Sequence, residues 1–211
     1  MLLIAGAIVL GVVVGLALGG NIRNLARLRF LWWPLAVVGL VLQLIPIPSI
    51  QGELDRWVAV LLLIASYVVL LAFVTVNLRL PGFPVIAVAF AVNVLVIAVN
   101  GGMPVRDSAL RQAYGPAYSE TRRELLERGG AKHHLERPDD DLMLLADVIP
   151  IGPPVRQVFS VGDLLFMGGV VWVLAATTAR GGSGRRAAKR ESPAGRAETA
   201  SDASRHQANR P

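Results

Sequence analysis

A chain of 211 residues that is 54% hydrophobic but only 17% charged departs from soluble domains, in which about a quarter of residues are charged. Its charge is scarce in the first hundred residues and collects in 101–160 and 180–211, a segregation that a bilayer imposes because charge must sit where there is water. The absence of cysteine excludes disulfides, thiolate metal sites and thiol nucleophiles. The net charge of +6 lies beside the apolar runs, which points to membrane topology and not to a nucleic-acid partner.

Five apolar runs approach the roughly 17–25 residues that a helix needs to cross the hydrocarbon core: about 2–18, 30–47, 57–76, 83–99 and 161–179. The expected fold is all-α, a polytopic integral membrane protein with a cap segment, 100–160, between the fourth and fifth spans. The first run has no positive residue ahead of it, and Arg23, Arg27 and Arg29 follow it. That order suits an uncleaved anchor rather than a signal peptide. Gly11, Gly15 and Gly19, four apart, favour close helix contact within or between chains.

With the N-terminus outside, basic residues outnumber acidic ones in 19–29, 77–82 and 180–211, whereas acidic residues prevail in 48–56 and 100–160. This bias places the C-terminus in the cytoplasm and the long segment on the outer side of the cell membrane. The tail 180–211 is rich in Gly, Ala, Ser and Arg and is expected to be disordered, since it has little apolar surface to bury. Its Arg180, Arg185, Arg186, Lys189 and Arg190 hold the last helix in place or attract anionic lipid. The lipid bilayer is the expected partner.

The cap segment reads as helical from Asp107 to Arg128, broken at Gly115-Pro116 and ended by Gly129-Gly130. The apolar, proline-punctuated return from Leu142 to Phe159 is expected to lie against the membrane surface or re-enter it shallowly.

Polar residues in apolar surroundings supply the candidate site. Asn93 and Asn100 are seven residues apart and share a helix face, and Gln43 lies in the outer half of its own run. Such amides form a polar pocket or glue helices together, and Asn100-Gly101 also reads as a helix C-terminus. Asp147 in Leu-Ala-Asp-Val and Asp163 in Phe-Ser-Val-Gly-Asp each place a carboxyl in an apolar stretch at the outer boundary. Two such acids form a candidate catalytic dyad that shares a proton and activates water. Alternatively, Asp163 and Ser160 cap the last helix. Asn93, Asn100 and Ser160 are the candidate substrate-binding residues. His133-His134 and Asp139-Asp140-Asp141 resemble a metal cluster in composition only, because adjacent histidines face different ways; a solvated loop is expected. No phosphate-cradling glycine loop, nucleophile elbow or zinc spacing occurs, so neither metal nor cofactor is implied.

Asn100-Gly-Gly-Met-Pro-Val105, Leu145-Ala-Asp-Val-Ile-Pro-Ile151 and Phe159-Ser-Val-Gly-Asp163 together resemble a bacterial membrane family known only as domain of unknown function 5317. That resemblance implies a cell-membrane location and supplies no activity. A more local one, over about 25 residues, is to lipoprotein signal peptidase, which has an outer-side aspartate dyad. Asp147 matches its first aspartate, and Phe159, Gly162, Asp163 and Gly169 match the motif around the second, with Ser160 and Gly162 replacing its asparagine and alanine. The peptidase's Gly-Asn-x-x-Asp-Arg segment is missing. The resemblance implies an aspartate-dependent membrane hydrolase. A scaffold protein and a small transporter or channel are the other classes; transport ranks last because no ionisable residue lies in mid-membrane.

Overall fold

The computed structural model describes residues 2–45, 53–128 and 132–179; the tail and the predicted end of the second run lie outside them. Five helices carry the apolar runs: α1 (Leu2–Ala17), α2 (Trp33–Leu44), α3 (Glu53–Val76), α4 (Phe83–Asn100) and, last in the chain, α7 (Val161–Ala179). Three of them, α3, α4 and α7, are long and apolar enough to cross a membrane. At 1.5 Å per residue, α1 is about 24 Å long and α2 about 18 Å, both short of the ~30 Å hydrocarbon core. The helices pack mainly in a row, α2 on α3, α3 on α4, α4 on α7 and α7 on α1.

Small residues set these contacts. A Cβ on Gly11 would lie 2.8 Å from Leu174 Cβ, and one on Gly15 would overlap Thr178, so α1 and α7 approach backbone to backbone. Gly20 continues that contact, whereas Gly19 takes a left-handed φ of 85° and turns the chain. Larger side chains fill the middle of the row: Tyr67, Phe90 and Phe166 link α3, α4 and α7 through edge-on and stacked ring contacts at 5.8 and 5.5 Å.

The segment between α4 and α7 is not all-α as expected. It contains helices α5 (Asp107–Tyr114) and α6 (Tyr118–Arg128), joined by a 3-10 turn at Gly115–Ala117 where the break was predicted. It also contains four short strands: β1 (Met103–Val105), β2 (His133–Leu135), β3 (Ile149–Ile151) and β4 (Gln157–Phe159). β1 and β2 pair in parallel, and the return segment folds as the antiparallel hairpin β3–β4. The strands arise because a chain that leaves the helices still has to pair its backbone N–H and C=O groups. Each strand is only three residues long, too short for an alternating pattern to show in the sequence.

α4 ends as its sequence implies. Gly101 takes a left-handed φ of 64°, and its N–H bonds back to Ile97. Leu63, Val96 and Ile97 of the bundle then pack with Met103 and Ala146 of the cap in one buried cluster, which seats the cap on the end of α3 and α4.

Candidate functional site

β1 organises the site because it is paired on both sides. On one side His133 sits level with Met103 in the β1–β2 ladder. On the other, Asp147 forms a parallel bridge to Val105: its N–H bonds to Pro104 O at 3.1 Å, and its C=O accepts from Arg106 N–H at 3.0 Å. Residues facing each other in a ladder project from the same face, so residues fourteen apart in the chain meet. His133 Nε2 lies 3.6 Å from Asp147 Oδ2.

That distance exceeds a hydrogen bond. The Asp147 side chain is only 7% exposed, and among the described residues no hydrogen bond reaches its carboxyl. Burial pushes this carboxyl well above its ordinary pKa, and the charge of Asp163 pushes it further. About half of the His133 side chain is open, but it lines cavities within the fold. The surrounding protein atoms lower its imidazole below the usual histidine value, with the Asp163 charge opposing. Both shifts favour the neutral forms. Each group keeps hydrogen-bonding capacity to spare.

Two cavities adjoin at this pair. One, of about 220 Å³, lies between bundle and cap and is lined by Gln43, Tyr67, Asn93, Lys132, Asp147 and Asp163, among others. The second, of about 590 Å³, lies within the cap. Lys132, His133 and Asp147 belong to both walls. Lys132 also ties the cap to the bundle, its ammonium donating to the Gln43 carbonyl in the last turn of α2.

Asp163 occupies a different setting. Its Oδ2 accepts from Ser160 N–H at 3.1 Å, while Ser160 Oγ accepts from Asp163 N–H at 3.0 Å. This reciprocal pair caps α7. Asn93 locks it from α4: its Nδ2 donates to Asp163 Oδ1 at 3.3 Å, and its Oδ1 accepts from Ser160 Oγ at 3.1 Å. A Cβ on Gly162 would overlap Asn93 Oδ1, so the glycine admits the asparagine. Asn100 serves the backbone instead. Its Nδ2 donates to Val96 O and Asp141 O, and its Oδ1 accepts from Asp141 N–H at 2.7 Å. It lines neither cavity.

The histidine pair and its acids form the expected solvated loop only in part: Asp139 and Asp141 are exposed, but His134 and Asp140 pair inside the fold. His134 is 7% exposed and its Nε2 lies 3.0 Å from Asp140 Oδ1, while Asp140 Oδ2 also accepts from Arg137 N–H at 2.7 Å. Pairing of β2 with β1 draws His134 inward, and as expected of strand neighbours the two histidines face different ways. Among the described residues no group of three His, Asp or Glu side chains is placed to hold a metal ion.

A family of unknown function (DUF5317) matches residues 27–175. An uncharacterized protein of Thermotoga maritima is 32% identical over 157 residues, covering 72% of this chain and 79% of that protein. No solved structure matches.

Proposed function

The chain belongs to the DUF5317 family, and we propose that it is a five-span membrane protein that binds a ligand at the outer membrane boundary, with Asp147 carrying the chemistry. One observation bears most of this reading. A buried carboxyl without a hydrogen-bond partner is costly, and here it lies in the wall shared by two cavities. Asn93, Asn100, Ser160 and Asp163 all have structural partners that explain them. Among the described residues neither the Asp147 carboxyl nor the His133 ring has a hydrogen-bond partner, only each other at 3.6 Å. A carboxyl raised by burial in a sheltered cleft is suited to donate a hydrogen bond or act as a general acid.

The bilayer crossing rests on α3, α4 and α7 and on exposed apolar residues of α2, Trp33, Val37, Leu40, Val41 and Leu44. Reporter fusions test the topology: those after Gly52 and within 106–140 are expected to read outside, and those after Arg79 and Arg190 inside. A cytoplasmic signal from 106–140 overturns it. The acid is tested with dicyclohexylcarbodiimide, an apolar reagent that adds to protonated carboxyls. Near neutral pH it is expected to label Asp147 in intact membranes. Absence of label on Asp147 refutes the reading.

A second reading, an aspartate-dependent hydrolase, is favoured by the presence of Asp147 and Asp163 in one cavity wall and by the effect of one charge on the other acid. In it Asp147 donates a proton while Asp163, oriented by Asn93 and Ser160, polarises a water. Asp147→Asn and Asp163→Asn are each expected to abolish turnover with insertion intact.

A further inference from the structure

The adjoining cavities have unlike ends. On the bundle side the wall reaches Gln43 and Leu44 in the last turn of α2, the helix at the edge of the row. Leu44 is 76% exposed, and exposed Val37 and Val41 continue an apolar surface along the same helix. On the cap side the wall presents Tyr114, Thr121, Glu124 and Gln157. These offer phenol, carboxylate and amide groups, together with a Thr121 hydroxyl that already donates to Ala117 O at 3.0 Å and so has its lone pairs left to accept.

We propose that the joined cavities receive the uncharged, polyhydroxylated head of an outer-leaflet amphiphile, a glycolipid, which enters sideways past Leu44. Its acyl chains stay against α2. Its glycosidic linkage lies in the smaller cavity beside Asp147, and its sugar lies in the cap. This rests on the preceding reading of Asp147 as a ligand site and of the row as membrane-spanning.

Size and charge select the head. A cavity of about 590 Å³ falls within the ~300–1,000 Å³ of small-molecule sites, whereas 220 Å³ falls below it. The larger space therefore holds the head and the smaller one a connecting group. A phosphate head meets the carboxylates of Glu124 and Asp163, against which the described residues of the two walls set one basic side chain, Lys132. A cationic head meets Lys132. Sugar hydroxyls donate and accept at once, and so satisfy an amide, a carboxylate, the Asp147 carboxyl and the His133 imidazole together.

Native mass spectrometry of the full chain released from detergent tests this with three probes: monoglucosyl diacylglycerol, phosphatidylglycerol with the same acyl chains, and free glucose. The glycolipid is expected to be retained at least about tenfold more tightly than phosphatidylglycerol. Thr121→Val combined with Gln157→Leu is expected to erase that preference. Leu44→Trp, at an exposed position and so without consequence for folding, is expected to weaken retention of the glycolipid. Equal retention of the two lipids, indifference to the cap substitutions, or binding of free glucose as tight as that of the glycolipid each overturn the proposal. Carbodiimide labelling of Asp147 separates the two failures. A labelled protein without lipid preference keeps the site and loses this ligand class, whereas an unlabelled one loses the site itself.

Discussion

The two ends of the helix row bury polar groups in different settings. At the arginine-bearing end, Asn77 donates to Leu31 O and Phe73 O and accepts from Leu31 N–H, all at 2.8–2.9 Å. Asn24 donates to Thr178 O, and Asn21 N–H reaches the same carbonyl. These amides close the C-terminal turns of α3 and α7, where backbone carbonyls lack helical partners. At the cap end, Asn93, Asn100 and Ser160 are equally well paired, but Asp147 and His133 stand 3.6 Å apart over open space. Burial alone does not separate a staple from a site. What separates them is whether the buried group already has its partners and, where it does not, whether it borders a cavity.

The largest effect should come from breaking a staple at the cap end. Gly162→Ala drives a Cβ into Asn93 Oδ1 and to within 3.0 Å of Ala89 O, and so disrupts the Ser160–Asp163 cap as well as the α4–α7 contact. A loss of at least about 2 kcal/mol is expected from overpacking and unmade hydrogen bonds, read as a lowered unfolding midpoint in detergent. An unchanged midpoint would show that Asn93 is free to move away. Asn77→Ala removes three hydrogen bonds at the other end and is expected to cost about 1–3 kcal/mol. A smaller loss there would mean that water replaces the amide.

Asp147→Asn should behave differently, because it removes a cost rather than a staple. Burial and the Asp163 charge raise this carboxyl when the protein is folded. Between the ordinary carboxylate value and the raised one, the folded state therefore holds more protons than the unfolded state. Stability falls as pH rises through that window and levels off above the folded value. Asparagine is neutral throughout, so the variant should match the parent in acid and become the more stable of the two as pH rises. The contrast is measured by unfolding midpoints across the pH range. Parallel pH profiles would show that Asp147 is ionised and paired.

Much of the staple chemistry was legible in the sequence, because it is local or periodic. The three-residue spacing of Ser160 and Asp163 spells a helix cap, Gly101 ends α4 where an Asn-Gly pair predicted it, and Gly11 and Gly15 mark a helix contact by their spacing alone. The candidate site was legible only at Asp147. Asp147 stands out as an acid in an apolar stretch, but nothing around Lys132 or His133 announces their place beside it. That place depends on β1 accepting His133 on one edge and Asp147 on the other. Strands of three residues leave no periodic trace, so the pair read as surface. The two neighbouring histidines, one facing the cavity and one clamped by Asp140, were the available signal.

The smallest effect sharpens the comparison from the opposite side. Thr178 sits at the arginine-bearing end, its backbone carbonyl occupied by two donors, yet its hydroxyl is buried without a partner. If this end is purely structural, that hydroxyl contributes only a desolvation cost, and Thr178→Val should be neutral or stabilising by up to about 1 kcal/mol. Valine keeps the branched shape that packs on Gly15, so the α1–α7 contact is preserved and the substitution isolates the polar atom. The unfolding midpoint should stay level or rise slightly, in contrast to the fall expected for Asn77→Ala a short distance away. A loss of about 1 kcal/mol or more would mean that the hydroxyl has a partner in the membrane. The hydroxyl would then count as one more staple, whereas a level or raised midpoint shows that a missing partner marks a candidate site only where, as at Asp147, the group borders a cavity.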